Sequence, residues 1–466
     1  MRSFAGRRVT IVGLAREGTA LARFLAAQGA TVTVTDRQSA EALAENVAAL
    51  AAWPIHFVLG EHPLELLDTD MLFVSPGVPL ETPLLVEARR RGVPISSETR
   101  LFVELCPAPI VGITGSSGKT TTTALVGEML RASGQRTWVG GNIGCPLIER
   151  LPEITPTDRV VMELSSFQLE FFAPWAGEEG RGISPGIAAV LNISPNHLDR
   201  HPSMAAYVAA KKQVLLHQRT GDVAVLGLDN AETRALADEC RGQVLFFSQR
   251  EVVTQGAFLQ DEIITLRLGE EEQAVCAVSE IKLLGRHNVD NVLAACALAG
   301  VAGANVRAMA AVATTFRGVE HRLELVRELN GVRWYNDSIA TSPERMVAAL
   351  RSFDAPIILL AGGRDKHLPW GEAAALILRK VRYLVLFGEA VPIIERAMVA
   401  ARAEDKITGG PEMTSVRTLE EAVAVAAQVA RPGDVVLLAP GCTSFDAFKD
   451  FAARGERFRE LVKQLG

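Results

Sequence analysis

The stretch Ile110-Val-Gly-Ile-Thr-Gly-Ser-Ser-Gly-Lys-Thr-Thr-Thr123 constrains this chain more than any other. Its apolar start, Ile110 to Ile113, reads as a buried strand. Thr114 to Gly118 forms a small, Gly-rich turn, and Lys119 opens a helical pattern through Leu125, Met129 and Leu130. Strand, glycine turn, Lys-Thr and helix together make a phosphate cradle. The N–H groups of Gly115, Ser116, Ser117 and Gly118 converge on an anion, and the helix N-terminus adds partial positive charge. Lys119 brings a full charge to the phosphates, and the Thr120 hydroxyl is placed to ligate Mg²⁺, with Thr121 beside it. The spacing departs from the strict phosphate loop, with five residues rather than four between Gly112 and Gly118. A plain Gly-rich turn is the bland alternative, and the Lys-Thr after the last glycine weighs against it.

At 466 residues the chain exceeds what one core supports, so several domains are expected. Net charge of −6 argues against non-specific nucleic-acid binding. No apolar run approaches the ~20 residues of a membrane span, so no membrane insertion is expected. The N-terminus runs straight into a short strand, so a secretory leader is not expected either. The six cysteines are scattered without a C-x-x-C pair and read as reduced core thiols of a cytoplasmic protein.

The expected fold is α/β in three domains. The first, 1–106, is Rossmann-like: strands at 8–13, 31–35 and 70–75, with an acidic residue, Asp36, after the second. Its glycine pattern is incomplete, because Ala15 stands between Gly13 and Gly18, and NAD is not indicated. The second, 107–315, is a P-loop-type ATPase domain with a parallel sheet covered on both faces. Within it, Gly140 to Gly144 reads as a turn cluster. The third, 316–466, is again Rossmann-like, with strands near 332, 356, 383 and 434. Its loops at 336–341, 362–366 and 441–445 follow strand ends, where α/β sites form.

Groups beyond the cradle also carry chemistry. Glu163 ends an apolar strand and is a candidate Mg²⁺ ligand; a solvated strand-end glutamate is the plain alternative. His197 ends the next strand on the presumed ATP face, where a metal or catalytic role is expected. Asn288 and Asn291 lie three apart on one helix face, although helix capping would explain Asn288 alone. Arg322, Asp337 and Lys366 are candidates for phosphate, ribose or metal, and anionic substrate, against plain surface roles. The residues themselves leave an ATP-using ligase and a kinase both open.

Six stretches resemble the Mur ligase family, in order along the chain. They are Gly112 to Thr121, Glu163-Leu-Ser-Ser-Phe-Gln-Leu-Glu170, Asn192 to Arg200, His287-Asn-Val-Asp-Asn291, His321-Arg322 and Asn336-Asp-Ser-Ile-Ala-Thr341. The Ser-Ser-Phe-Gln-Leu-Glu stretch and the Gly-Leu-x-x-x-Gly loop at Gly13 look like the D-glutamate-adding branch. That resemblance implies ATP-driven joining of D-glutamate to UDP-N-acetylmuramoyl-L-alanine through an acyl phosphate, by a monomer with two Mg²⁺ ions. It implies that Gly115–Thr121, Asn288, Asn291, Arg322 and Asp337 bind ATP, with Lys119 catalytic. Thr120 and Glu163 would hold one metal, and His197 with carbamylated Lys211 the other. Leu14, Ala15, Asp36, Arg37, Ser75 and Gly77 would hold the uridine diphosphate, and Asn142, Ser165 and Gln168 the muramoyl end. Thr341, Lys366, Ser444 and Phe451 would hold D-glutamate.

One position departs from the pattern. Many relatives carry Lys where this chain has Ile339. Either another cation does that work, with Arg364 and Lys366 the candidates, or the position is not essential. A folylpolyglutamate synthase-like ligase shares the phosphate loop, but its pterin-binding loops are expected in the ATP domain, without an extra N-terminal α/β domain. A non-catalytic nucleotide-binding regulator would bind ATP without releasing ADP.

Overall fold

The computed structural model describes all residues except 1–2, 143–145, 175–181, 196–199, 284, 366–367 and 405–408. Three sheets organise three α/β domains, and the chain divides into two compact units, Met1–Phe316 and Arg317–Gly466.

The first unit holds two sheets. One is wholly parallel, in the order Ile55–Leu59, Thr31–Asp36, Arg8–Val12, Met71–Val74, Ile95–Ser96. The other has nine strands among the described residues. Its parallel part runs Thr137–Gly141, Arg159–Glu163, Ile110–Thr114, Ile187–Val190, Val223–Gly227, Gln243–Ser248, Gly256–Gln260. The two-residue period of a strand sends Val160 and Met162 to one face and Val161 to the other. The first face shares an apolar cluster with Val9, Ile11 and Phe73 of the small sheet. The second packs on the helices Lys119–Ala132 and Arg286–Val301 through Met129, Val292 and Cys296. Both faces are covered, as the βα alternation requires.

Two expectations need correction. The nine-stranded sheet is not purely parallel, because Ile263–Leu268 and Glu271–Ala277 add an antiparallel edge beyond Gly256–Gln260. The tight turn before Ile263 is made by Asp261 and Glu262, both left-handed at φ 49° and 58°, which fits a two-residue hairpin without glycine. The supposed turn cluster at Gly140 begins inside a strand, since Gly140 and Gly141 close Thr137–Gly141. A Cβ on Gly141 would lie 2.3 Å from the Glu163 carbonyl oxygen, so glycine here serves close strand approach rather than a turn. Gly144 lies outside the described residues.

The second unit has a six-stranded sheet, ordered Glu324–Leu329, Val332–Asn336, Val435–Gly441, Ile357–Gly362, Val381–Phe387, Glu412–Ser415. It is parallel except for its first strand. All five described cysteines are free. Among the described residues, no helix is long and apolar enough to cross a membrane.

Candidate active site

The cradle forms where the sequence places it. Gly118, at φ 82°, ends the turn, and the Lys119–Ala132 helix starts at the next residue. Only glycine fits, because a Cβ there would stand 2.2 Å from Asn291 Oδ1. The loop is braced from the strand beside it. Ser117 N–H and Oγ both donate to Asn192 Oδ1, and Ser116 N–H donates to the Asn192 carbonyl. Ser116 Oγ also sits 3.0 Å from Tyr207 Oη. Lys119 Nζ donates to the Gly115 and Ser116 carbonyls at 2.9 and 3.3 Å. A phosphate oxyanion is a stronger acceptor for that ammonium than neutral carbonyls are.

Glu163 is two strands downstream in the chain but adjacent in the sheet, paired with Ile113. It is buried; Oε1 accepts from Asn142 Nδ2 at 3.0 Å, whereas Oε2 has no hydrogen-bond partner among the described residues. An unpartnered buried carboxylate oxygen is costly unless a cation completes it. With the nearly buried Thr120 opening the helix, the donors are the hard oxygens that Mg²⁺ prefers, and the residues fit that ion.

Lys211 is 1% exposed, its Nζ donating to the same Gly115 carbonyl at 2.8 Å and to Thr114 Oγ1 at 3.4 Å. Its ammonium lies 4.7 Å from the Tyr207 ring centre. Burial first, then the Lys119 charge, pushes its pKa down to about 6 against the pull of Glu163. Lys212 points elsewhere and pairs with Glu239 on the surface. His197 lies outside the described residues.

Asn288 and Asn291 share a helix face, joined by a 2.8 Å bond from Asn291 Nδ2 to Asn288 Oδ1. Gly285, not Asn288, is the N-cap, so capping does not account for Asn288.

At the other sheet of this unit, Leu14, Ala15, Asp36, Arg37, Ser75 and Gly77 lie at or just beyond the C-terminal ends of three adjacent strands. Asp36 Oδ2 accepts from Leu14 N–H at 2.7 Å, and Ser75 Oγ donates to the Gly13 carbonyl at 3.0 Å. Ser165 caps a short helix with Gln168 in a reciprocal box. Gln168 Nε2 reaches Glu17 Oε1 at 2.9 Å, which ties the glycine loop's helix to the larger sheet. Arg200, given no role above, donates to the carbonyls of Pro76, Gly77 and Val78. Its sequence signal was its place at the end of the Asn192 to Arg200 stretch.

Glu17, half-buried, and Glu98, buried, form an interacting carboxyl pair. Burial raises the pKa of each, and the charge of Glu17 raises Glu98 further. The native state therefore holds protons there that the unfolded chain releases, so stability falls as pH rises through and above the ordinary glutamate range. Glu98→Gln is expected to flatten that fall. Melting temperatures from about pH 5 to about pH 8 check it, and unchanged slopes would contradict the pairing.

In the second unit, Asp337 follows its strand, buried, and accepts from Leu323 N–H at 3.0 Å. Burial pushes its carboxyl up to about 6, against the pull of that bond and of Arg322 and Arg345. Arg322 sits between His321 and Leu323, both left-handed at φ 62° and 44°, a strained turn of the kind kept at functional sites. The loops carrying Thr341 and Ser444 are joined by Arg454, fully buried, which donates to the carbonyls of Ser338, Cys442 and Thr443. The Phe451 carbonyl accepts from Ser338 Oγ at 2.7 Å, while the Phe451 ring is exposed. Lys366 lies outside the described residues. Arg454 was missed in sequence because Ser338, one of its partners, is distant in the chain.

A braced glycine turn with Lys-Thr, an acidic neighbouring strand end and a mostly parallel sheet define a phosphate-loop α/β enzyme that handles nucleotides. Three family models match in sequence: the Mur ligase MurD-like N-terminal domain over residues 7–97, the Mur ligase middle domain over 113–299, and the Mur ligase glutamate ligase domain over 321–442. The chain belongs to the Mur ligase family. It is 46% identical to a UDP-N-acetylmuramoylalanine--D-glutamate ligase of Symbiobacterium thermophilum, covering 98% of both chains. It is 42% identical to the enzyme of the same name in Acetivibrio thermocellus, covering 100% of this chain and 98% of that one. Among solved structures, UDP-N-acetylmuramate-alanine ligase MurC from Thermotoga maritima shares the fold, with TM-score 0.56 and 20% identity over 98% of this chain and 99% of that one. MurF from Acinetobacter baumannii does so too, with TM-score 0.56 and 16% identity over 92% and 91%.

Proposed function

We propose that this chain joins D-glutamate to UDP-N-acetylmuramoyl-L-alanine at the expense of ATP, in cytoplasmic peptidoglycan precursor synthesis. The full-length likeness to D-glutamate ligases carries this reading. The cradle supplies its chemistry. A carboxylate is a poor electrophile, so the γ-phosphoryl of ATP is first moved to the L-alanine carboxylate. The D-glutamate amine then attacks the acyl carbon, the C–O bond breaks, and inorganic phosphate leaves with that oxygen.

In this reading residues 1–106 take the uridine diphosphate substrate, 107–315 bind ATP, and 316–466 take the amino acid. The chain works as a monomer. The cradle N–H groups and Lys119 hold the β- and γ-phosphates, so charge gathering at the transferring phosphoryl meets fixed donors. Thr120 and Glu163 would hold one Mg²⁺; His197 and Lys211 would hold a second. Mg²⁺ there offsets phosphoryl charge. Lys211 serves only as a carbamate, because a free ammonium repels the ion. Burial favours the neutral amine, the form that adds carbon dioxide. Asn288, Asn291, Arg322 and Asp337 contact the nucleotide, and Thr341, Lys366, Ser444 and Phe451 hold D-glutamate.

Labelling the substrate carboxylate with oxygen-18 tests the route. An acyl phosphate places one labelled oxygen in inorganic phosphate per turnover. Unlabelled phosphate would overturn it.

A further inference from the structure

In the resemblance given above, position 339 departs from the family pattern, and Arg345 is a cation whose side chain reaches it. Arg364, one sequence candidate, is taken: its guanidinium makes a two-point pair with Glu389 at 2.9 and 3.1 Å. Lys366 lies outside the described residues. Arg345 was not considered from sequence. Ser342 caps the Pro343–Arg351 helix by accepting from Arg345 N–H, which starts that helix directly after the loop. From its first turn, Arg345 Nη1 reaches back to the carbonyl of Ile339 itself at 3.1 Å. The same carbonyl accepts from Thr341 N–H at 2.8 Å. Arg345 and Thr341 therefore flank one oxygen atom.

The loop between them is fixed. Ile339 N–H donates to the His321 carbonyl, Ala340 N–H to Asp337, and Gly441 N–H to Ala340. Arg345 is exposed, and among the described residues no carboxylate stands within ion-pair distance of it. Among the described residues its guanidinium makes this one hydrogen bond, which leaves four of its five donors for a ligand. By contrast, Arg351 on the same helix pairs with Glu372.

We propose that Arg345 supplies the cation that position 339 lacks, and that it binds a carboxylate of the amino-acid substrate next to Thr341. A planar guanidinium suits a carboxylate better than an ammonium does, which fits a swap of lysine at one position for arginine at another. The proposal rests on the D-glutamate ligase reading and adds a specificity residue to it.

The test is steady-state kinetics on Arg345→Met, Arg351→Met and the double variant Ile339→Lys/Arg345→Met. Arg345→Met should raise KM for D-glutamate about ten- to a hundredfold, with KM for ATP and thermal midpoint near wild type. Arg351→Met should leave all three unchanged. The double variant should recover most of the lost affinity, because lysine at 339 returns the charge; a merely structural role for Arg345 would show no such rescue. An unchanged KM for D-glutamate in Arg345→Met overturns the proposal while the ligase reading stands. A rise in KM for ATP instead overturns the carboxylate assignment. Wild-type protein that releases no ADP with D-glutamate removes the ligase reading, and this proposal with it.

Discussion

Lys119→Ala yields a folded protein whose ADP release is lost, by on the order of a thousandfold or more. Lys119 is half-buried at the start of its helix, and its ammonium donates to the loop carbonyls of Gly115 and Ser116 at 2.9 and 3.3 Å. Alanine favours the helix, so the thermal midpoint should move little. The loop itself stays braced, because Asn192 and Tyr207 hold Ser116 and Ser117 without the lysine. What disappears is one full positive charge where phosphoryl charge gathers. Stopped-assay ADP release, read beside a melting curve, checks both halves. Ordinary activity in the folded variant would sink the phosphate-cradle reading.

Lys211→Ala is the second large effect. Tyr207 precedes Lys211 by one helical turn, and Lys212 is turned about 100° away. Lys211 is buried and donates to the Gly115 carbonyl of the cradle, whereas Lys212 pairs with Glu239 at the surface. Loss of Lys211 should lower turnover by more than about a hundredfold. Short carboxylic acids such as formate or acetate should restore part of it by standing in for the carbamate. Lys212→Ala should stay near wild type, since an exposed pair contributes ~1 kcal/mol or less. If Lys212→Ala is the inactive variant, the register is wrong. If formate and acetate give no recovery, Lys211 does not act as a carbamate.

The legible parts of this chain were the local ones. The cradle was visible because strand, glycine turn and Lys-Thr are contiguous, and the requirement for glycine at 118 is set by its own φ and one neighbour. Glu163 was visible as a strand end, but its place beside Ile113 was not, because the Thr137–Gly141 strand intervenes in sequence and lies on the far side of Arg159–Glu163 in the sheet. The hairpin edge was missed because Asp261 and Glu262 make a left-handed turn without the usual Asn-Gly signal. Arg454 was missed for another reason. It is a charged residue buried to satisfy carbonyls of two loops, and no sequence pattern announces such partners. Arg345 belongs to the same class, a helix residue whose meaning comes from the loop it folds back on. The Glu17–Gln168 bond likewise links segments 151 residues apart, beyond any periodicity argument.

In the proposed reaction this phosphate cradle serves amide-bond formation with one particular amino acid. The most direct measurement is coupled ADP release by the wild-type protein with ATP, Mg²⁺ and UDP-N-acetylmuramoyl-L-alanine, across a panel of D- and L-amino acids. Turnover is expected with D-glutamate, little with L-glutamate or L-lysine, and none when the uridine substrate is omitted. ADP release indifferent to the amino acid, or turnover with another acceptor and not with D-glutamate, would contradict it.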